Sequence, residues 1–247
     1  AVRERREKVN AAIDEDLPLK EPERLWEASR YLLKAGGKRL RPTVSLLAAE
    51  ALADVPPLSV DYRQFPALDG QTVDVMAGAV SLEVIQSFTL IHDDIMDDDA
   101  LRRGVPAVHK AYDVDTAILA GDTLYSTAFE IMAETGAAPE NGLEAMRMLA
   151  NTCTRICEGQ AMDVEFEART EVLPEEYLEM VELKTAVLYG DAAATPAVLL
   201  GADDETVDAL YRYGIAAGSA FQIQDDVLDL TVSSERLGKQ RGSALVE

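Results

Sequence analysis

Apolar residues return every three or four positions along most of this chain, the spacing that lines one face of an α-helix. Residues 22–34 (PERLWEASRYLLK) put Leu25, Ala28 and Leu32 on one face, and Ala35-Gly36-Gly37 supplies the stop. A second helix is expected from about Pro42, where a fixed φ suits the first turn. Residues 54–70 (DVPPLSVDYRQFPALDG) hold three prolines and read as a surface loop. After it the pattern predicts a long apolar helix from about Val73 to Asp98. Further helices are expected near 114–134, 140–168, 175–199 and 205–230, with a loop from about 231. β-branched alternation is rare, so no strands are expected, and the fold class is all-α.

The chain has 247 residues, 48% of them hydrophobic, which is enough to bury a substantial core. Aromatics are few, and alanine, leucine and valine dominate, as suits packed helices. Forty-five acids face 23 bases, a net charge of −22, so most of the surface should repel nucleic acid and anionic membranes. Of the bases, 16 are arginine and 7 lysine. Acid excess with scarce lysine resembles the surfaces of proteins from salt-loving archaea, and folding is expected to depend on molar salt. Cys153 and Cys157 share one helix face, where parallel Cβ vectors disfavour a disulfide; both are expected to be buried thiols. With neither a signal peptide nor an apolar run of about 20 residues, a soluble, cytoplasmic protein is expected.

Chemistry concentrates in "LIHDDIMDDDALRRG", where five aspartates occupy seven positions and two arginines follow. Asp93 stands over Asp97 on a helix, and in "FQIQDDVLD" Asp225 stands over Asp229, 132 positions later. Like charges at that spacing cost a helix a few tenths of a kcal/mol unless cations bridge them. Hard oxygen ligands favour Mg²⁺ or Ca²⁺. An EF-hand is excluded: counted from Asp93, its glycine position is Asp98 and its closing glutamate is Gly104. "GGKRLRP" concentrates Lys38, Arg39 and Arg41, and Arg102-Arg103 follow the first acidic motif. Bases gathered beside acids in so acidic a chain imply a bound anion. A diphosphate fits both halves, held by metal on one side and cationic side chains on the other. No P-loop accompanies it.

"GGKRLRP", "DDIMD" with "RRG", "KT" at 184–185 and "FQIQDDVLD", in that order, resemble the trans-isoprenyl diphosphate synthases, or polyprenyl synthetases. The resemblance implies a single-domain bundle of about ten or more helices around a deep central cavity, the isoprenoid synthase fold, as a homodimer. It implies condensation of isopentenyl diphosphate with an allylic diphosphate. Asp93, Asp94, Asp97, Asp225, Asp226 and Asp229 would bind three Mg²⁺ on the allylic diphosphate, which Arg102, Lys184 and Lys239 would also contact. Lys38, Arg41, Gln86 and Arg103 would hold isopentenyl diphosphate. Thr185 and Gln222, with the Lys184 carbonyl, would face the developing carbocation, and Gln160 with Asp163 would line the cavity. Neither His92 nor His109 is given a catalytic role.

Phe88 lies five residues before Asp93, about 7–8 Å down the helix axis, where a growing tail would meet it. Phe88 followed by Thr89 resembles the archaeal geranylgeranyl synthases, so a C20 product is expected, with C15 and C25 or longer as alternatives. The resemblance departs at "LGKQRGSALVE", where Ala244 stands in place of an aspartate. The sequence stops at Glu247, and the domain over 1–247 is expected to lack C-terminal helices. Two other classes fit less well. A class I terpene cyclase lacks the GGKRLRP stretch. A non-catalytic subunit of a heteromeric synthase tends to lose aspartates or arginines that are intact here.

Overall fold

A computed structural model describes residues 2–231, with only the backbone described at Asp229 and Leu230. The described residues form ten α-helices: α1 Val2–Asp16, α2 Glu23–Lys34, α3 Leu40–Leu52, α4 Val75–Met96, α5 Val108–Ala111, α6 Val114–Ala133, α7 Pro139–Glu167, α8 Pro174–Val181, α9 Val187–Leu200 and α10 Asp204–Thr231. A π-helical turn, Glu182–Ala186, joins α8 to α9.

Helix α9 is the axis of the bundle. All of its residues are buried, and it packs against α3, α4, α7 and α10. A helix that is apolar nearly all round belongs in the interior, and its run of alanines lets neighbours approach closely. Gly201, at φ 79°, ends it in the left-handed conformation that a side chain would strain. Helix α4 lies beside it, its start fixed by Asp74, whose carboxylate accepts from the Ala77 amide at 2.8 Å. Residues 75–85 of α4 are buried, whereas from Gln86 onward half-buried positions appear. The helix therefore leaves the core as it reaches the aspartates, and that sets them at the rim of the bundle.

The predicted helices are present, with boundaries shifted by a few residues. The expected helix 175–199 is instead two helices joined by the π turn. Residues 54–70 are not a plain surface loop. Tyr62 and Phe65 are buried and stacked, Tyr62 donates to Glu50 at 2.5 Å, and Phe65-Pro66 pairs with Thr72-Val73. The prolines make the turns, but two aromatics tie the end of the segment into the core. A second short ladder pairs Leu101-Arg102 with Val105-Pro106. Its turn residues Arg103 and Gly104 both have positive φ, as a tight hairpin turn demands. Of the two cysteines, Cys153 is buried and Cys157 exposed. Contrary to expectation, one helix, Val75–Met96, is long and apolar enough to cross a membrane, but 72% of its apolar window is buried in the bundle.

Candidate active site

The first aspartate motif occupies the last turn of α4. Asp93 and Asp97 are half-buried, while Asp94 points inward and is fully buried. Arg102 reaches back from the hairpin to compensate it. Its Nε donates to Asp94 Oδ1 at 2.6 Å, and its Nη2 lies 3.0 Å from Asp99 and 3.6 Å from Asp93. Burial lifts the Asp94 carboxyl to about 6, against the opposing pull of Arg102. Asp94 Oδ2 has no hydrogen-bond partner. One reason for arginine directly after so many acids is thus internal: a buried carboxylate needs a counter-charge.

The π turn connects this motif to the second. Lys184 donates to Asp163 Oδ2 at 2.5 Å and stands 3.2 Å from Asp93 Oδ1, an ion pair without a hydrogen bond to that oxygen. Burial would lower the Lys184 ammonium, but Asp93 and Asp163 outweigh it and hold the group charged well above the ordinary lysine range. The next residue, Thr185, donates to Gln222 at 3.1 Å, and Gln222 donates to Asp226 at 2.8 Å. Tyr177 closes the far side of Asp226 at 2.5 Å. Successive side chains on a helical turn point in different directions, so Lys184 faces the first acidic motif and Thr185 the second. Gly159 of α7 permits the arrangement: a Cβ there would sit 2.3 Å from the Lys184 amide nitrogen. Asp225 is exposed; the Asp229 side chain and Lys239 lie outside the described residues.

The cationic side chains divide into two kinds. Arg39 is internal: its backbone is left-handed, and it donates to Glu83 at 2.5 Å, to the Leu33 carbonyl at 2.6 Å and to Asn10 at 2.9 Å. Arg103 is partly committed, with Nη1 on the carbonyls of Leu32 and Gly36 and Nη2 3.4 Å from Glu83. Lys38 is exposed and lies 5.5 Å from the Phe221 ring centre. Arg41 is stacked at 4.2 Å over Tyr189, its Nε buried without a partner. Of the bases predicted to bind diphosphate, Lys38 and Arg41 therefore lie against α10 and α9, whereas Arg102 sits on the first motif and Arg103 beside Glu83.

Farther down α4, the Phe88 ring is held edge-on by His92 at 4.9 Å and by Tyr125 of α6 at 5.3 Å. Tyr125 in turn meets Phe129 at 5.2 Å. Thr89 is half-buried and donates to the carbonyl of Gln86, whose side chain is also half-buried. Gln160 Nε2 is buried without a hydrogen bond. His92 Nε2 lies 3.2 Å from the Ile118 carbonyl and packs on Gly121, and buried His109 lies 3.6 Å from Asp98. Sequence reasoning missed Glu83, Tyr177 and Tyr189. Glu83 did carry a signal, as the only acid in the apolar stretch 75–92.

Among the described residues, no three acidic, histidine or cysteine side chains converge tightly enough to hold a metal ion unaided. Magnesium does not require such a cage: it keeps several waters and binds through one or two carboxylates plus substrate phosphates. The half-buried Asp93 and Asp97 are hard donors at the rim and so suit it, and buried Asp94 keeps one oxygen without a partner.

The family profile described as Polyprenyl synthetase matches residues 22–247. A geranylfarnesyl diphosphate synthase of Natronomonas pharaonis is 71% identical over the whole chain and 72% of its own length. A geranylgeranyl diphosphate synthase of Methanosarcina mazei is 52% identical over the whole chain and 71% of its own length. The solved geranylgeranyl pyrophosphate synthetase of the archaeon Geoglobus acetivorans is 49% identical and superposes with a TM-score of 0.85, covering 95% of this chain and 71% of that one.

Proposed function

The chain belongs to the polyprenyl synthetase family and is a trans-prenyltransferase, and from that premise we propose how its residues divide the work. Allylic diphosphate binds at the aspartate rim and isopentenyl diphosphate at Lys38, Arg41, Gln86 and Arg103. The observation that carries this reading is the π turn, in which adjacent residues touch both motifs: Lys184 pairs with Asp93, and Thr185 reaches Asp226 through Gln222.

In the reaction, the allylic C1–O bond breaks and its electron pair leaves with the diphosphate. The double bond of isopentenyl diphosphate attacks C1, and a proton passes from the new chain to the released pyrophosphate. Magnesium, bound at Asp93, Asp94, Asp97, Asp225, Asp226 and Asp229 as up to three ions, would neutralise charge on the leaving diphosphate. Lys184, held protonated by its carboxylate neighbours, adds a fixed cation to the same task, and Arg102 secures the motif from behind. Thr185 and Gln222 offer dipoles toward the developing carbocation. Gln160 lines the cavity, and Lys239 would contact the allylic diphosphate.

The tail grows down α4 toward Phe88, whose clamped ring supports a C20 product. The 71% identity to a protein named for a C25 product favours geranylfarnesyl diphosphate as a second reading. The deciding experiment supplies this chain with Mg²⁺, high salt, isopentenyl diphosphate and dimethylallyl, geranyl or farnesyl diphosphate, and measures product length. Phe88→Ala should lengthen the product by at least one five-carbon unit. An unchanged length would remove Phe88 as the floor, and no product from any primer would sink the reading for this chain. A cytoplasmic homodimer belongs to the same reading: Val114, Ile118 and Leu119 give α6 an exposed apolar face. A monomer mass by sedimentation at micromolar concentration would remove the dimer.

A further inference from the structure

Helix α10 carries Gly214, Gly218 and Phe221 on successive turns of one face. A Cβ at Gly214 would sit 2.2 Å from the Tyr189 carbonyl oxygen, and one at Gly218 would sit 2.9 Å from the Tyr189 side chain. The two glycines let α10 close directly onto α9 at Tyr189, with no side chain between them. Phe221 then meets the Tyr189 ring at 5.5 Å and a 45° tilt. On the outer side of this aromatic pair stand two cations, Arg41 4.2 Å above Tyr189 and Lys38 5.5 Å from Phe221.

We propose that Tyr189 is a positioning residue for isopentenyl diphosphate: its ring face holds the Arg41 guanidinium in the plane and place from which it grips the diphosphate. The inference rests on the reading above that Arg41 binds that substrate. Arg41 is otherwise loosely determined. Its Nε is buried with no hydrogen-bond partner, and among the described residues no carboxylate forms an ion pair with it. A desolvated guanidinium over a ring face gains more from the ring quadrupole than an exposed one. The ring also fixes the orientation of the planar fork, and that orientation decides whether two N–H groups can meet two phosphate oxygens. A carboxylate could steer Arg41 equally well, but it would neutralise the cation and repel the incoming diphosphate. An aromatic ring orients the cation while leaving its charge available.

The test is steady-state kinetics with each substrate varied separately. Tyr189→Leu should raise the KM for isopentenyl diphosphate by about 3- to 20-fold, the range expected for loss of a partly desolvated cation–π contact. The kcat should stay within about 2-fold, with the KM for the allylic diphosphate unmoved. Tyr189→Phe keeps the ring and should restore the wild-type KM. A pentafluorinated phenylalanine at 189 keeps the ring's shape but inverts its quadrupole; it should behave like leucine, and it remains informative if Tyr189→Leu does not fold. In an Arg41→Lys background, Tyr189→Leu should add less than 2-fold, since the oriented fork is already gone. An unmoved KM in folded Tyr189→Leu, equal rises in both KM values, or a pentafluorinated variant indistinguishable from Tyr189→Phe would each overturn the proposal. Wild-type protein that makes no product would instead overturn the prenyl-transfer reading on which it rests.

Discussion

Asp93→Asn is expected to lower kcat by about 10²- to 10³-fold, the scale for removing one preorganised electrostatic contact to a developing charge. Its melting temperature should change little, because relieved repulsion among the acids and lost pairing with Lys184 and Arg102 oppose each other. The two halves of that expectation have separate causes. In the resting fold, Asp93 is crowded by acids: Asp94 is adjacent and Asp97 lies one turn on. Replacing one carboxylate by an amide relieves repulsion of a few tenths of a kcal/mol. Lys184 loses one anionic neighbour but keeps its hydrogen bond to Asp163, so its position survives. In the reaction, the same carboxylate is a hard donor that the amide replaces poorly, and the leaving diphosphate loses part of its neutralisation. The measurement is kcat at saturating substrates across a magnesium titration, with Asp98→Asn as the comparison. Asp98 is exposed and paired to Lys110, so its variant should stay within about 2-fold of wild type. Wild-type kcat and magnesium dependence in Asp93→Asn would remove the first motif from the chemistry.

What the sequence disclosed and what it hid follow from the range of the forces involved. Helix periodicity is local, and α2, α4, α6, α7 and α10 were legible because each needs only its own apolar stripe. The pairing of Asp93 with Asp97 was legible for the same reason, since it depends on i, i+4 geometry alone. The π turn was not legible: nothing in ELKTA departs from ordinary helical composition. What accommodates it is nonlocal, the close approach of α7 at Gly159. Tyr62 looked like a loop residue because its partner is buried Glu50, which also pairs with Arg5 of α1. The run KRLR read as one anion-binding cluster, yet Arg39 turns inward to Glu83 while Lys38 and Arg41 rest on α9 and α10. Composition could supply the charges but could not say which of them was already neutralised inside the fold.

That division makes Glu83→Gln the substitution with the largest expected cost in stability, about 3 kcal/mol, the lower end of the range for breaking a buried ion pair from one side. Glu83 and Arg39 are both almost fully buried and 2.5 Å apart, and Arg103 lies 3.4 Å from the same oxygen. Glutamine keeps the shape and one acceptor oxygen, so packing changes little and the loss isolates the charge. Two guanidinium groups would then share the interior with carbonyls alone and no anion. Arg103 is the more vulnerable, because burial already pulls its affinity for the proton down and Glu83 is the first group opposing that pull. For a chain of this size, 3 kcal/mol corresponds to a fall in melting temperature of about 6–12 °C. The damage should also reach the substrate. Once unpaired, Arg103 is free to swing toward solvent and leave Gly37, whose Cβ position its guanidinium now covers at 3.1 Å, so the KM for isopentenyl diphosphate should rise more than that for the allylic primer. Thermal unfolding at fixed salt checks the first part and the pair of KM values the second. A melting point within 2 °C of wild type would mean that the carbonyls of Leu32, Leu33 and Gly36 suffice to hold these arginines, and that the one acid in the apolar stretch 75–92 is there for some other reason.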